Sequence, residues 1–177
     1  MFTIEEIRIA NATSRSNGAT AVHKDGTIKA IAPNFVCKNI DKHRSILDFG
    51  AGKDAVHTKW LKDNGFQNVI AYDFGKNCVD GLHDAKALAK QYDIVFASNV
   101  LNVSSSSTML FETLKQIYHC LAPGGEFICN YPSSPRKAGF DTSYIKSAIE
   151  IVFDNMVELV GGTNSAPLWK VTKPVLH

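Results

Sequence analysis

Four residues in two short stretches have the types and spacing to hold a ligand. Asp48, Gly50 and Gly52 stand at alternate positions in ILDFGAGKDAVHTKWL, residues 46–61, where a short apolar run meets a glycine-rich turn and a helical pattern. Asp73 closes the next apolar run, NVIAYD, 23 residues after Gly50. The glycines permit a tight turn and let a ligand approach the main chain. A helix expected from about Lys53 would aim its free N–H groups and partial positive charge at the same spot, favouring a pyrophosphate or a carboxylate. An acid at the end of the following strand can accept hydrogen bonds from both hydroxyls of a ribose. Together these features predict a site for a nucleoside with an anionic tail. The match of residues 50–55 to G-x-G-x-x-A keeps a dinucleotide open as the ligand.

The elements that must position these residues follow from hydrophobic periodicity. SILDF (45–49), NVIAYD (68–73), YDIVFASN (92–99) and EFICNY (126–131) read as buried strands. GLHDA (81–85) reads as a further, brief strand, and VELVG and LWKVT as two closing strands that pair antiparallel. Between them lie three helical patterns. KDAVHTKWLKDNG carries Val56, Trp60 and Leu61 on one face, with Gly65 past its end. Residues 107–121 repeat Leu110, Leu114, Ile117 and Leu121, with serines as N-caps and Pro123-Gly124-Gly125 as the stop. Residues 141–156 turn Ile145, Ile149, Val152 and Met156 inward. This alternation predicts an α/β fold: a doubly wound, mostly parallel seven-stranded sheet with helices on both faces and an antiparallel last strand. The N-terminal third is less regular. Thr3 and Glu6 suggest a capping box on a short helix over 3–10, residues 11–19 have loop chemistry, and the Asp25-Gly26 pair suggests a hairpin over 20–31. We therefore divide the chain into a segment of residues 1–44 that covers the site and a ligand-binding domain of residues 45–177.

In such a sheet the ligand lies beyond the carboxyl ends of the strands. That rule adds Asn99 and Tyr131 to the acids and glycines as candidates to face a reacting centre. Asn99 can accept from an amine or hold one end of a cofactor; Tyr131 can line a substrate pocket. Arg136, in the basic loop SSPRKAGF, can meet an anionic substrate, and His23 and Lys24 can cover the site. Composition narrows the classes further. The 177 residues carry a formal charge of +2, too little for a dedicated nucleic-acid surface. Cys37, Cys78, Cys120 and Cys129 lack C-x-x-C spacing and the six histidines are scattered, so neither a metal site nor a dithiol motif is indicated. No apolar run reaches the ~20 residues of a membrane span, and the acidic N-terminus does not read as a signal peptide. A soluble, cytoplasmic protein is expected.

The chain resembles the class I S-adenosylmethionine-dependent methyltransferases over about residues 45–172. The turn from Asp48 through Phe49, Gly50 and Ala51 to Gly52 is similar to the first motif of that family, with Asp54 where a third glycine often stands. The resemblance implies S-adenosylmethionine as cofactor, Asp73 as the ribose ligand, Phe74 packed on adenine, and Asp84-Ala85 at the adenine amino group. YDIVFASNVLN resembles the fourth motif, which places Asn99 between cofactor and acceptor, and LAPGGEFICN resembles the turn and strand that follow. Two departures stand out. Only about ten residues separate Asp73 from Asp84, and Ser98-Asn99-Val100-Leu101 lacks the proline-rich tetrapeptide of the nucleic-acid amino-methyltransferases. The Pro-Cys pair of the cytosine C5 enzymes is also missing. The expected activity is methyl transfer to an unidentified acceptor, a small molecule before a nucleic acid or protein. A nicotinamide-dependent oxidoreductase and a non-catalytic cofactor-binding partner subunit are the competing readings. The sequence does not fix the oligomeric state.

Overall fold

Alternation of apolar strands with amphipathic helices builds a sheet covered on both faces. The structure, a computed structural model, describes residues 1–18 and 25–176. In chain order the elements are α1 (Ile4–Gly18), α2 (Ile31–Asn39), β1 (Ile46–Phe49), α3 (Val56–Asp63), β2 (Val69–Tyr72), β3 (Tyr92–Ala97), α4 (Ser107–Cys120), β4 (Leu121–Asn130), α5 (Thr142–Phe153), β5 (Glu158–Gly162) and β6 (Pro167–Thr172). The sheet order is β2-β1-β3-β4-β6-β5. β1 to β4 run parallel, and β6 is antiparallel to both of its neighbours. The order reverses between β1 and β3, so their carboxyl ends open a crevice there.

Strand alternation sorts the core into two layers. Leu47, Phe49, Val95, Ala97, Phe127 and Cys129 face α4 and α5, where Leu110, Leu114, Ile117, Ile145, Ile149 and Phe153 are fully buried. Ile46, Ile94, Phe96 and Ile128 face the other way, onto Ala32 and Val36 of α2 and Leu61 of α3. The side chain of Ser106 caps α4 by accepting from Met109 N–H, and Asp141 caps α5 by accepting from Tyr144 N–H.

Among the described residues six strands form where seven are expected. Residues 81–85 make one ladder-like contact, Asp84 N–H to Ala71 carbonyl at 2.9 Å. The stretch between β2 and β3 is too short for a crossover helix and an added parallel strand, and it folds into 3₁₀ turns at Gly75–Asn77 and Ala87–Ala89. Pro123 to Gly125 do not form a separate turn. The chain passes from Cys120 straight into β4, and the β3–β4 register shifts there instead. Met156 lies beyond α5 and is 76% exposed rather than inward.

The N-terminal third differs most. The capping box is present, with Thr3 N–H on Glu6 Oε2 at 2.9 Å and Glu6 N–H on Thr3 Oγ1 at 3.1 Å. The helix it starts runs on through the predicted loop to Gly18. The first half of the expected hairpin, with His23 and Lys24, lies outside the described residues. Its second half leads into α2, which tolerates Pro33 because the residue falls in the first turn, where N–H groups have no helical partner. α2 packs into the same core as β1, and among the described residues α1 is the helix that meets the strand ends, through Ala10 and Asn11. No described helix is long and apolar enough to cross a membrane.

Candidate functional site

β1 and β2 deliver their last residues side by side, with Phe49 paired to Tyr72. The chain then turns sharply through Gly50 at φ +72° and Gly52 at φ +77°. Glycine is needed at residue 50 for space as well as for angle. A Cβ there would lie 2.6 Å from Val100 Cγ2, whereas one at Gly52 would meet nothing within 4 Å. The turn's own N–H groups are already committed. Gly50 and Ala51 both donate to the Tyr72 carbonyl, at 2.8 and 3.0 Å, and Gly52 donates to Asp73 Oδ2 at 2.9 Å. α3 starts at Val56, after Ala55 in the left-handed region, rather than at Lys53. The expected cradle of free N–H groups for an anion therefore does not form at residues 50–52. Carbonyl oxygen is what that turn has left to offer, and carbonyl oxygen suits an ammonium.

Asp73 is 5% exposed. Its Oδ1 accepts from Phe74 N–H at 2.8 Å and its Oδ2 from Gly52. A carboxylate has about four lone-pair directions, so two are left for a diol. Burial pushes this carboxyl above its usual range, opposed by the two N–H donors. Asp48 is fully buried on the α3 side of the sheet, where it accepts from Thr58 Oγ1 at 2.8 Å. Its carboxyl is pushed up to about 7, chiefly by burial and also by the charge of Asp73. Asp48 thus joins α3 to β1 beneath the turn.

The ends of β3 and β4 meet through side chains. Asn99 N–H donates to Asn130 Oδ1 at 2.8 Å, and Asn130 Nδ2 donates to Asn99 Oδ1 at 2.8 Å. The first bond fixes the second. A backbone N–H can only donate, so Asn130 must present its oxygen there and its NH2 to Asn99. Asn99 then presents its own NH2 outward. Asn99 Oδ1 keeps a second lone pair beside that bond, so the geometry accommodates both roles expected of this amide, acceptance from an amine and a hold on one end of a cofactor. Asn99 holds φ at +56°, a left-handed conformation that Asn tolerates better than most residues.

Gly50, Asp73, Phe74, Asn99, Val100 and Val103 line one cavity, closed by Ala10 and Asn11 of α1. Its volume is about 20 Å³, room for about one water. The space over Phe74 is taken by Phe2, two residues before α1, with 5.3 Å between ring centroids. The remaining sequence candidates lie elsewhere or act through their backbone. Phe49 is a core side chain, 1% exposed. Tyr131 is also 1% exposed, and its hydroxyl donates to the Phe140 carbonyl. Arg136 lies over the Tyr131 ring and donates to the Pro132 and Ser165 carbonyls, so it is occupied in holding its loop. Asp84 accepts from Lys86 N–H and pairs with Lys90 at 2.8 Å, and the Lys90 ammonium holds its carboxyl below the usual range. Ala85 is exposed beside it. Sequence reading missed Asn130, which the polar end of FICN could have signalled. It also missed Val100 and the cavity residues of α1, which only tertiary proximity reveals.

Among curated proteins no sequence matches the chain. Solved structures share the fold. A 1,6-didemethyltoxoflavin-N1-methyltransferase from Burkholderia thailandensis, with bound 1,6-didemethyltoxoflavin and S-adenosylhomocysteine, superposes with a TM-score of 0.63 at 14% identity, over 98% of this chain and 92% of its own. The N-methyltransferase NodS from Bradyrhizobium japonicum, in complex with S-adenosylhomocysteine, gives 0.57 at 14% identity, over 92% and 98%. The S-adenosylmethionine-dependent methyltransferase SibL gives 0.54 at 14% identity over 81% of this chain, which spans only 55% of the length of SibL. The sequence model of a family described as a methyltransferase domain matches residues 25–156. That match takes in the glycine turn, Asp73 and the Asn99–Asn130 pair, and by it the chain belongs to the methyltransferase-domain family, of the class I, S-adenosylmethionine-dependent kind.

Proposed function

We propose that the chain transfers a methyl group from S-adenosylmethionine to a small-molecule acceptor. The observation that carries this reading is the state of Asp73. Its carboxylate is held by two main-chain donors with two lone pairs to spare, and it shares a cavity with Gly50 and Asn99. Asp73 would hold the ribose hydroxyls, Phe74 would pack on adenine, and the carbonyls of the glycine turn would meet the methionyl ammonium. The cofactor supplies a methyl already activated on sulfur, so the chain's own residues have to align the acceptor and exclude water. Asn99 would donate to a lone pair on that acceptor, an oxygen or a ring nitrogen. Structural neighbours that act on a sugar and on 1,6-didemethyltoxoflavin support the small-molecule class.

α1 covers the site and leaves no room for a cofactor, which needs a pocket of at least about 300 Å³, so α1 moves aside for binding. That closure also favours a second reading, a non-catalytic member. Calorimetry with S-adenosylhomocysteine, S-adenosylmethionine and NAD tests the first. The expected result is binding of both sulfur ligands, weakened about 100-fold in Asp73→Ala by loss of two charge-assisted hydrogen bonds. Binding of NAD alone overturns it. Transfer of labelled methyl from cofactor into extract fractions then separates the two readings, since a non-catalytic member transfers none.

A further inference from the structure

We infer that His83 is a positioning residue for the cofactor site: it grips the Gly52 carbonyl and so keeps the Gly52 N–H on Asp73. Four contacts carry the assignment. His83 Nε2 lies 2.7 Å from the Gly52 carbonyl oxygen. Val79 N–H donates to His83 Nδ1 at 3.0 Å. His83 N–H donates to the Val79 carbonyl at 2.9 Å, which anchors the ring's own backbone. The Gly52 N–H meets Asp73 Oδ2 at 2.9 Å. The tautomer follows from these partners. A donor facing Nδ1 requires a lone pair there, so the proton sits on Nε2, where it meets a carbonyl. The ring is 9% exposed.

The clamp answers a weakness of the turn. Gly52 has open space around its Cα and a φ of +77°, so its peptide can rotate at little steric cost. The Gly52 carbonyl also accepts from Ala55 N–H at 3.2 Å. Without His83 that longer bond alone would hold it, and the looser turn would let the Gly52 N–H, the donor that aims the carboxylate's remaining lone pairs, drift from Asp73. Gly52 N–H and Gly52 C=O lie on the two peptides that meet at its Cα, so Asp73 fixes one plane and His83 the other, and the free rotation of the glycine between them is removed. The residue is thus joined to the ligand only through Gly52 and Asp73.

The inference rests on the proposed cofactor site, and its test separates the two. His83→Gln places an amide NH2 near the position of Nε2, whereas His83→Asn keeps an acceptor near Nδ1 and loses the reach to Gly52. Both are compared with wild type by S-adenosylhomocysteine calorimetry, by melting temperature and by the amide 15N–1H shift of Gly52 in the ligand-free protein. Expected are near wild-type affinity and Gly52 shift in His83→Gln. In His83→Asn a moved Gly52 shift and binding weaker by about three- to tenfold are expected, at a melting temperature close to that of His83→Gln. Equal affinity and an unmoved Gly52 shift in His83→Asn overturn the assignment. If wild type binds no S-adenosylhomocysteine, the cofactor proposal fails, and the clamp is judged by the Gly52 shift alone, which must move in His83→Asn and hold in His83→Gln.

Discussion

The carboxyl ends of β1 and β2 and those of β3 and β4 meet at one cavity, yet they are joined by different means. On the first side the bonds are mostly main-chain: two turn N–H groups on one carbonyl, a third on Asp73, and the Gly52 carbonyl on His83. On the second side two asparagine side chains do the joining. A main-chain lattice depends on backbone angles and so demands glycine. A side-chain pair depends on the identity of its atoms and sets which group faces a substrate. Under the proposed function, the half that would hold an invariant cofactor can therefore be generic, while the half that would choose an acceptor has to be particular.

Substitutions can break that contrast. Gly50→Ala is expected to do most damage, because it adds left-handed strain of about 1–2 kcal/mol to an overpacking cost against Val100 of about 1–3 kcal/mol. Urea unfolding measures the sum. Adding Val100→Ala should recover the packing part alone, and Gly52→Ala, with open space, should show only the strain. If Gly50→Ala and Gly52→Ala cost the same, close packing against Val100 is not what demands a glycine at residue 50.

Asp48 tests what lies beneath the main-chain half. Its folded-state carboxyl titrates at about 7, above the unfolded value of about 4. The folded state therefore holds the proton more tightly. Its contribution to stability is fully present below pH 4 and is lost as pH rises to 7, an effect of roughly 4 kcal/mol at most. Asp48→Asn should flatten unfolding free energy against pH in that window. A wild-type profile already flat from pH 4 to 7 would show that Asp48 ionises there without penalty.

The side-chain half is expected to respond less in stability and more in selectivity. Asn130→Ala strands the Asn99 N–H and should cost about 1–2 kcal/mol. Asn99→Asp keeps an oxygen for Asn130 Nδ2, so its stability should stay within about 0.5 kcal/mol of wild type, but it replaces an outward donor by an acceptor. S-adenosylhomocysteine affinity should hold while methyl transfer falls. If affinity falls instead, Asn99 serves the cofactor's own carboxylate.

The same contrast explains what could be read in advance. The inner strands were legible as short continuous apolar runs buried on both faces, and α3, α4 and α5 because each buries one apolar face. Asp48, Gly50, Gly52, Asp73 and Asn99 stood out because they punctuate those runs. α1 beyond Ala10 was not legible, since NATSRSNG has no apolar period and its first residue, Asn11, is buried by tertiary packing against Gly75. α2 was hidden by Pro33, which reads as a helix breaker. His83, Thr58 and Asn130 act on residues 10–31 positions away, and no local pattern records such distances. Tyr131 misled because a residue at a strand's end can face the core as readily as the crevice.

The resting place of α1 has a consequence for time as well as space. A ligand that must wait for a 15-residue helix to lift enters at the helix's tempo, so association should level off as ligand concentration rises. Its apparent affinity is also diluted by the share of molecules caught with the helix down. Prising the Phe2 ring from Phe74 would then quicken entry and tighten binding without touching a single atom that holds the ligand.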